Sequence, residues 1–210
     1  KGKDIDLRWF TPDQEIDLCG HATLSTAHVL KSVLNYSSDK ILFNTMSGQL
    51  KVTCKDDLYY LDFPSRKAKS AILPKEIELS LNIQPKEVFK SRDYMLVYES
   101  QKEVEDIKIN RHFFDEISLG HGGVIVTAKG NLVDFVSRYF TPQATILEDP
   151  VTGSAHCTLT PFWSSRLRKK ELNALQISNR GGRLICKDML GRIIIGGEAR
   201  VFSKGSFSLK

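Results

Sequence analysis

The first residues alternate. Ile5, Leu7 and Trp9 are interleaved with Asp6, Arg8 and Phe10, a period of two that predicts a strand. A polar turn over 11–17 follows. Apolar residues then recur at helical spacing: Ala22, Leu24, Ala27, Val29, Leu30, Val33 and Leu34. They predict a helix of about four turns over 21–34. Its first half is rich in small residues (Ala22, Thr23, Ser25, Thr26, Ala27), which would let a sheet approach closely. Strands are predicted at 41–44, 50–54 and 58–63, with turns at Ser47-Gly48 and 55–57, and Pro64 closes the run. The polar, basic stretch 65–71 is predicted to be a linker. Pro74 then opens a short helix reaching Leu81, with Glu76 well placed in its first turn.

The second half repeats the plan. Strands are predicted at 87–90, 94–98 and 124–127, with a short helix over 110–116 between the last two. Residues 132–139 alternate again and predict extended chain. A helix over 153–167 contains Pro161; an interior proline removes one backbone bond and costs about 3 kcal/mol or bends the helix. Four closing strands are predicted at 174–178, 182–187, 192–195 and 199–202, punctuated by Gly181-Gly182 and Gly196-Gly197. The clearest repeat is Arg8-Trp9-Phe10-Thr11-Pro12 against Arg138-Tyr139-Phe140-Thr141-Pro142. Each copy leads into a polar turn, a glycine and a small-residue helix. Two such copies predict a pseudo-two-fold pair of α/β (α+β) lobes whose motifs meet at the junction.

Composition narrows the class. The chain has 210 residues, 41% hydrophobic and 26% charged, as expected of a globular protein. The net charge of +5 is scattered. The densest basic patch, 166–170, lies at a helix C-terminus, where it complements the dipole, and no aromatic-interleaved stripe suggests nucleic acid. Cys19, Cys54, Cys157 and Cys186 form no C-x-x-C pair. With so few cysteines and no signal peptide, a cytoplasmic location is expected. No apolar run approaches the roughly 20 residues of a membrane span.

The candidate chemistry sits in the two turns. One is Glu15-Ile16-Asp17-Leu18-Cys19-Gly20-His21-Ala22-Thr23; the other runs from Glu148-Asp149-Pro150-Val151-Thr152-Gly153-Ser154 to Ala155-His156-Cys157. A helix N-terminus carries unpaired amides and the positive end of the dipole, so two starting here could share one anionic ligand. The ligand this predicts is a small carboxylate-bearing molecule. His21 and Asp149 are candidate proton carriers, and a desolvated carboxylate can have its pKa raised toward neutrality. Ser154 could bond the ligand carboxylate beside the amides of Gly20 and Gly153. The plainer alternative is that Asp149 and Ser154 merely cap a helix and that His21 is a turn residue. Cys19 could be an activated thiolate. If Cys19-Gly20-His21 matches Thr152-Gly153-Ser154, however, a two-thiol racemase lacks its second thiol, and Cys19 is read as a small buried residue. His121-Gly122-Gly123 is read as a glycine-rich turn.

Both motifs resemble the signatures of the PhzF-like family, in particular the animal phenazine biosynthesis-like domain-containing proteins. The resemblance runs from Leu7 to Gly197. It implies a diaminopimelate-epimerase-like fold in which each lobe wraps a mixed sheet around a central helix. The lobes would be 1–66, completed by 197–210, and 67–196. It also implies a cofactor-independent isomerase, with His21, Asp149 and Ser154 in the site roles, Gly20 and Gly153 supplying amides, and no metal. The family's acid/base glutamate lies upstream of these motifs and has no counterpart in the sequence, which begins with Lys1. Glu15 matches a different position. An N-terminal segment is therefore expected to be missing, and weak or absent activity follows, with a non-catalytic binding protein as the alternative. Open strand edges would then favour aggregation, a homodimer or a protein partner.

Overall fold

The computed structural model describes residues 5–55, 57–206 and 208. Asp56, in the turn predicted over 55–57, and the end of the tail 197–210 lie outside them. The first half comprises β1 (Ile5–Asp6), β2 (Trp9–Phe10), β3 (Glu15–Ile16), α1 (Gly20–Ser32), β4 (Lys40–Thr45), β5 (Gly48–Lys55) and β6 (Leu58–Pro64). Next come β7 (Lys69–Ser70), α2 (Lys75–Ser80), β8 (Glu87–Lys90), β9 (Tyr94–Val97), α3 (Gln101–Asp106) and α4 (Arg111–Phe114). The chain continues through β10 (Val124–Lys129), β11 (Phe135–Phe140), α5 (Gly153–Leu167), β12 (Glu171–Gln176), β13 (Gly182–Asp188) and β14 (Arg192–Gly197).

Among the described residues, twelve strands form one mixed sheet in the order β1-β4-β5-β6-β14-β13-β12-β11-β10-β9-β8-β7. The joint is β14, whose Ile193, Ile194 and Ile195 face Phe63, Asp62 and Leu61 of β6 in antiparallel register. β2 and β3 form a separate hairpin. One hydrophobic cluster spans α1, α5 and the strands around them, through Phe43, Leu61, Phe63, Phe135, Leu159 and Trp163. A second lies under α2, α3 and α4, through Ile77, Leu96, Val104, Phe114 and Val126. α5 is buried without a break from Gly153 to Pro161, which is why its small residues suit it to an enclosed position. α1 buries only Gly20, Thr23 and Ala27 fully.

The predicted repeat is a structural one. Arg8 grips Glu15 through two bonds of 2.8 Å, and Arg138 grips Glu148 at 2.7 and 3.0 Å. Each guanidinium also lies over the phenylalanine two residues on, 5.0 Å from Phe10 and 4.9 Å from Phe140. Phe10 pairs with Glu15, and Phe140 bridges Glu148, so the two polar turns close in the same register. Glu15 is thus the ion-pair counterpart of Glu148.

Several expectations are corrected. The opening strand is interrupted at Leu7-Arg8: the Leu7 amide still bonds Asn44 O, after which the chain leaves the sheet to pair with β3. The stretch 65–71 is no free linker. Ser65 and Arg66 donate to Gly191 O and Cys157 O, and Lys69–Ser70 adds a strand to the sheet. α3 was not predicted, although Ser100 and Glu103 form a capping box in front of it. Among the described residues, 199–202 form no strand and find no pairing partner, and Phe202 is fully exposed. α5 is continuous through Pro161. The proline has no N–H to give the Cys157 carbonyl, and the Arg66 amide supplies one from outside the helix at 2.8 Å.

The two helix tips touch. A Cβ on Gly20 would lie 2.8 Å from Gly153 Cα, and one on Gly153 would lie 2.8 Å from Gly20 Cα, with the Phe63 ring 3.5–3.6 Å from both. Backbone cannot swing aside as a side chain can. Gly20→Ala and Gly153→Ala are each expected to cost about 1–3 kcal/mol of overpacking, read as a lower urea midpoint. A midpoint equal to wild type would mean that the tips do not meet.

Candidate active site

α1 and α5 begin alike. Their N-cap residues, Cys19 and Thr152, are extended, make no side-chain cap bond to the helix, and are followed by no acidic residue in the first turn. The first-turn amides at both tips therefore lack a protein acceptor of the usual kind. Like ends of two dipoles face each other, an arrangement that favours an anion between them. The tips open into a cleft of about 810 Å³, lined by both motifs and by the turns 11–14 and 141–146. Thr145 Oγ1 donates to Asp13 Oδ1 at 3.0 Å and ties those turns together across the mouth.

All five expected site residues, Gly20, His21, Asp149, Gly153 and Ser154, line this one cleft. The capping alternative does not hold. Asp149 accepts the Thr152 hydroxyl at 2.6 Å, and Ser154, inside the first turn of α5, accepts Arg92 Nη2 at 2.9 Å. Thr152 is itself held by Gln176, whose Nε2 donates to Thr152 Oγ1 at 3.0 Å and to Asp149 O at 2.7 Å, while its Oε1 accepts the Thr152 amide at 2.7 Å. Gln176 thus orients Thr152, and Thr152 orients the Asp149 carboxyl. Burial raises the Asp149 pKa above the ordinary carboxylate value; the Thr152 hydroxyl and the positive charge of His21 oppose the shift.

His21 Nδ1 donates to Val151 O at 3.0 Å, across from one motif to the other. Cys19 Sγ lies 3.6 Å from His21 Nε2 and 3.8 Å from Nδ1. The imidazole pKa is pushed up to about 9, chiefly by the Cys19 sulfur, against a burial effect that pulls it down, with Asp149 and Val151 O adding support. Cys19 is therefore not simply a small buried residue: it is half-buried, lines the cleft and sits against the histidine. His121-Gly122-Gly123 is a turn leading into β10, and His121 reaches the cleft.

Three polar residues of the site had no role assigned from the sequence: Arg92, Gln176 and Asp17, the last of them within the first motif. Arg92 Nη1 donates to Asp17 Oδ1 at 3.3 Å and its Nε to Asp93 Oδ1 at 3.2 Å; Arg66 lies 3.6 Å from Asp17 Oδ2. Asp93 is completely buried and also accepts the Gly123 amide and the Tyr139 hydroxyl. The basic patch at the end of α5 is engaged elsewhere: Arg166 forks onto Glu87 at 2.7 and 2.8 Å, and Lys169 pairs with Asp134. Among the described residues no group of three His, Cys, Asp or Glu side chains could hold a metal ion, and no helix is long and apolar enough to cross a membrane.

Sheet order, paired helices and a cleft between them define an α/β protein of the diaminopimelate-epimerase-like fold. The chain matches the phenazine biosynthesis-like (PhzC-PhzF) family over residues 1–205, and it belongs to that family. An uncharacterized isomerase of Pseudomonas aeruginosa is 41% identical over 210 residues, 99% of this chain and 80% of that protein. Phenazine biosynthesis-like domain-containing protein 1 of Mus musculus is 38% identical over 226 residues, covering 96% and 77%. The crystal structure of a PhzF-family protein of Enterococcus faecalis superposes with a TM-score of 0.92 at 44% identity, over 100% of this chain and 80% of that one.

The His21 shift has a testable sign. A raised pKa favours the fold fully below the ordinary value of 6.5 and ceases to do so as pH climbs through about 9. Imidazole nitrogen shifts followed against pH should place His21 near 9, and Cys19→Ala should bring it down toward the ordinary range. A His21 titration unmoved by Cys19→Ala would remove the sulfur as its cause.

Proposed function

We propose that this protein is a PhzF-like isomerase that moves a proton on a small carboxylate-bearing molecule, using side chains alone. The observation that carries the reading is the meeting of two uncapped helix N-termini, Gly20 against Gly153, beside Asp149. In this reading the Gly20 and Gly153 amides and Ser154 hold the ligand carboxylate. Asp149, whose pKa burial raises above the ordinary carboxylate value, takes and returns a proton. His21, charged near neutral pH, supplies a proton or stabilises developing negative charge. Thr152 gives Asp149 its orientation rather than acting as a second base, which sets the site apart from two-thiol chemistry.

A second reading, a binding protein that keeps the fold without turnover, is favoured by one observation. Among the described carboxylates lining the cleft, Asp17 is paired with Arg66 and Arg92 and Asp13 ties the mouth to Thr145, which leaves Asp149 as the one carboxylate to work beside His21. The four free cysteines are consistent with the expected cytoplasmic location, where thiols stay reduced. The lobes are taken as 1–66 with 197–210, and 67–196. The terminal strands β1 and β7 are the edges on which a second copy or another protein would pair.

Solvent-deuterium incorporation into a panel of small carboxylic acids tests the assignment. Asp149→Asn should lower any incorporation by roughly 100-fold or more. It should leave the melting temperature unchanged or raised, because it removes a carboxylate that burial disfavours. Incorporation that survives Asp149→Asn would refute the role of Asp149. Saturable ligand binding with no incorporation would establish the binding reading in its place.

A further inference from the structure

Arg92 is a partly buried cation whose three bonded nitrogens face three different parts of the cleft wall. Its side chain is 19% exposed. Nε meets Asp93 on its own turn, Nη1 meets Asp17 just before α1, and Nη2 meets Ser154 in the first turn of α5. The residue thus ties the turn between β8 and β9 to both motifs. Ser154 is 5% exposed. A guanidinium has no acceptor, so in this contact the Ser154 oxygen accepts and its own proton must go elsewhere. The carbonyl four residues back, Pro150 O, takes the Ser178 hydroxyl at 2.8 Å. Among the described residues no acceptor is found for the Ser154 proton, and the side chain lines the cleft. A buried donor without an acceptor is costly unless a ligand supplies one.

We propose that Arg92 is a positioning residue for the carboxylate ligand: it fixes Ser154 as a donor aimed into the cleft, beside the Gly20 and Gly153 amides. Arg92 itself lines the cleft, but its bonded nitrogens are taken by Asp93, Asp17 and Ser154. Its charge is balanced by Asp17 and Asp93, so its effect on the ligand passes through the hydroxyl it orients. The assignment also explains why an arginine stands here. A lysine offers a single ammonium, which cannot serve three acceptors in a fixed fork.

The inference rests on the cleft being a carboxylate site, and the test separates the two. Benzoate and its uncharged analogue benzamide are titrated into the protein while the Gly20 and Gly153 amide resonances are followed. Wild type should show saturable shifts at both glycines with benzoate and none with benzamide. Equal response to both compounds, or no shift at either glycine, would overturn the carboxylate site and the Arg92 assignment with it. Given benzoate binding, Ser154→Ala and Arg92→Met should each weaken it roughly tenfold, and the double variant no further than either single one. Wild-type affinity in Arg92→Met, or losses that multiply in the double variant, would overturn the role of Arg92 alone. Arg92→Lys keeps a charge beside Asp93 and is read instead if the methionine variant does not fold. It should lose the same tenfold, and full rescue by lysine would show that charge, not the fork, is what matters.

Discussion

Two helices that meet tip to tip by their N-termini present like partial charges to each other, and the rest of this molecule is arranged around that unfavourable contact. Nothing in either first turn neutralises it: there is no acidic residue and no side-chain cap. Glycine at both tips lets the backbones approach to a distance that a Cβ would forbid, with the Phe63 ring beneath them. The continuous sheet through β6 and β14 holds the two halves in place while the tips face each other. Pro161 contributes from the far side of α5, since the carbonyl it leaves free anchors the segment that carries Arg66 toward Asp17. A helix pair held this way has its amides oriented before any ligand arrives, which is the condition under which fixed dipoles act most strongly.

Burial then sets the chemistry of the flanking groups in opposite directions. Asp149 is pushed toward its neutral form by desolvation, yet its carboxyl is kept in one orientation by the chain from Gln176 through Thr152. His21 is pushed toward its charged form by the Cys19 sulfur and the Val151 carbonyl. An acid that holds its proton more readily than usual and an imidazole that stays charged above neutrality now stand on opposite motifs. That division of roles resembles other sites where environment separates two titratable groups.

Much of this could be read from the sequence because the long elements have strong periodicity. α1, α5 and the strands β4, β5 and β6 fall where periodicity and turn residues predicted them, and the Arg-aromatic-Phe-Thr-Pro repeat marks two turns closed by the same Arg–Glu pairing. What escaped was set by contacts between distant residues. β3 has two residues and exists only because Trp9 and Phe10 lie opposite it. Residues 199–202 were expected as a strand but have no neighbour to pair with among the described residues. Arg92 joins Asp17 and Ser154 across separations of 75 and 62 residues, and Gln176 reaches Thr152 across 24. Neither stands in a local pattern that marks it. α3 is the exception, since its Ser100-to-Glu103 capping box is a signal visible in the sequence.

The chemistry of this site depends on one ligand being shared between two helix tips. A crystal structure of the protein bound to a small carboxylic acid measures this directly. Carboxylate oxygens should lie within hydrogen-bond distance of first-turn amides of both α1 and α5, with the Ser154 hydroxyl on the same group. A carboxylate held by one helix alone, or bound outside the cleft, would contradict it.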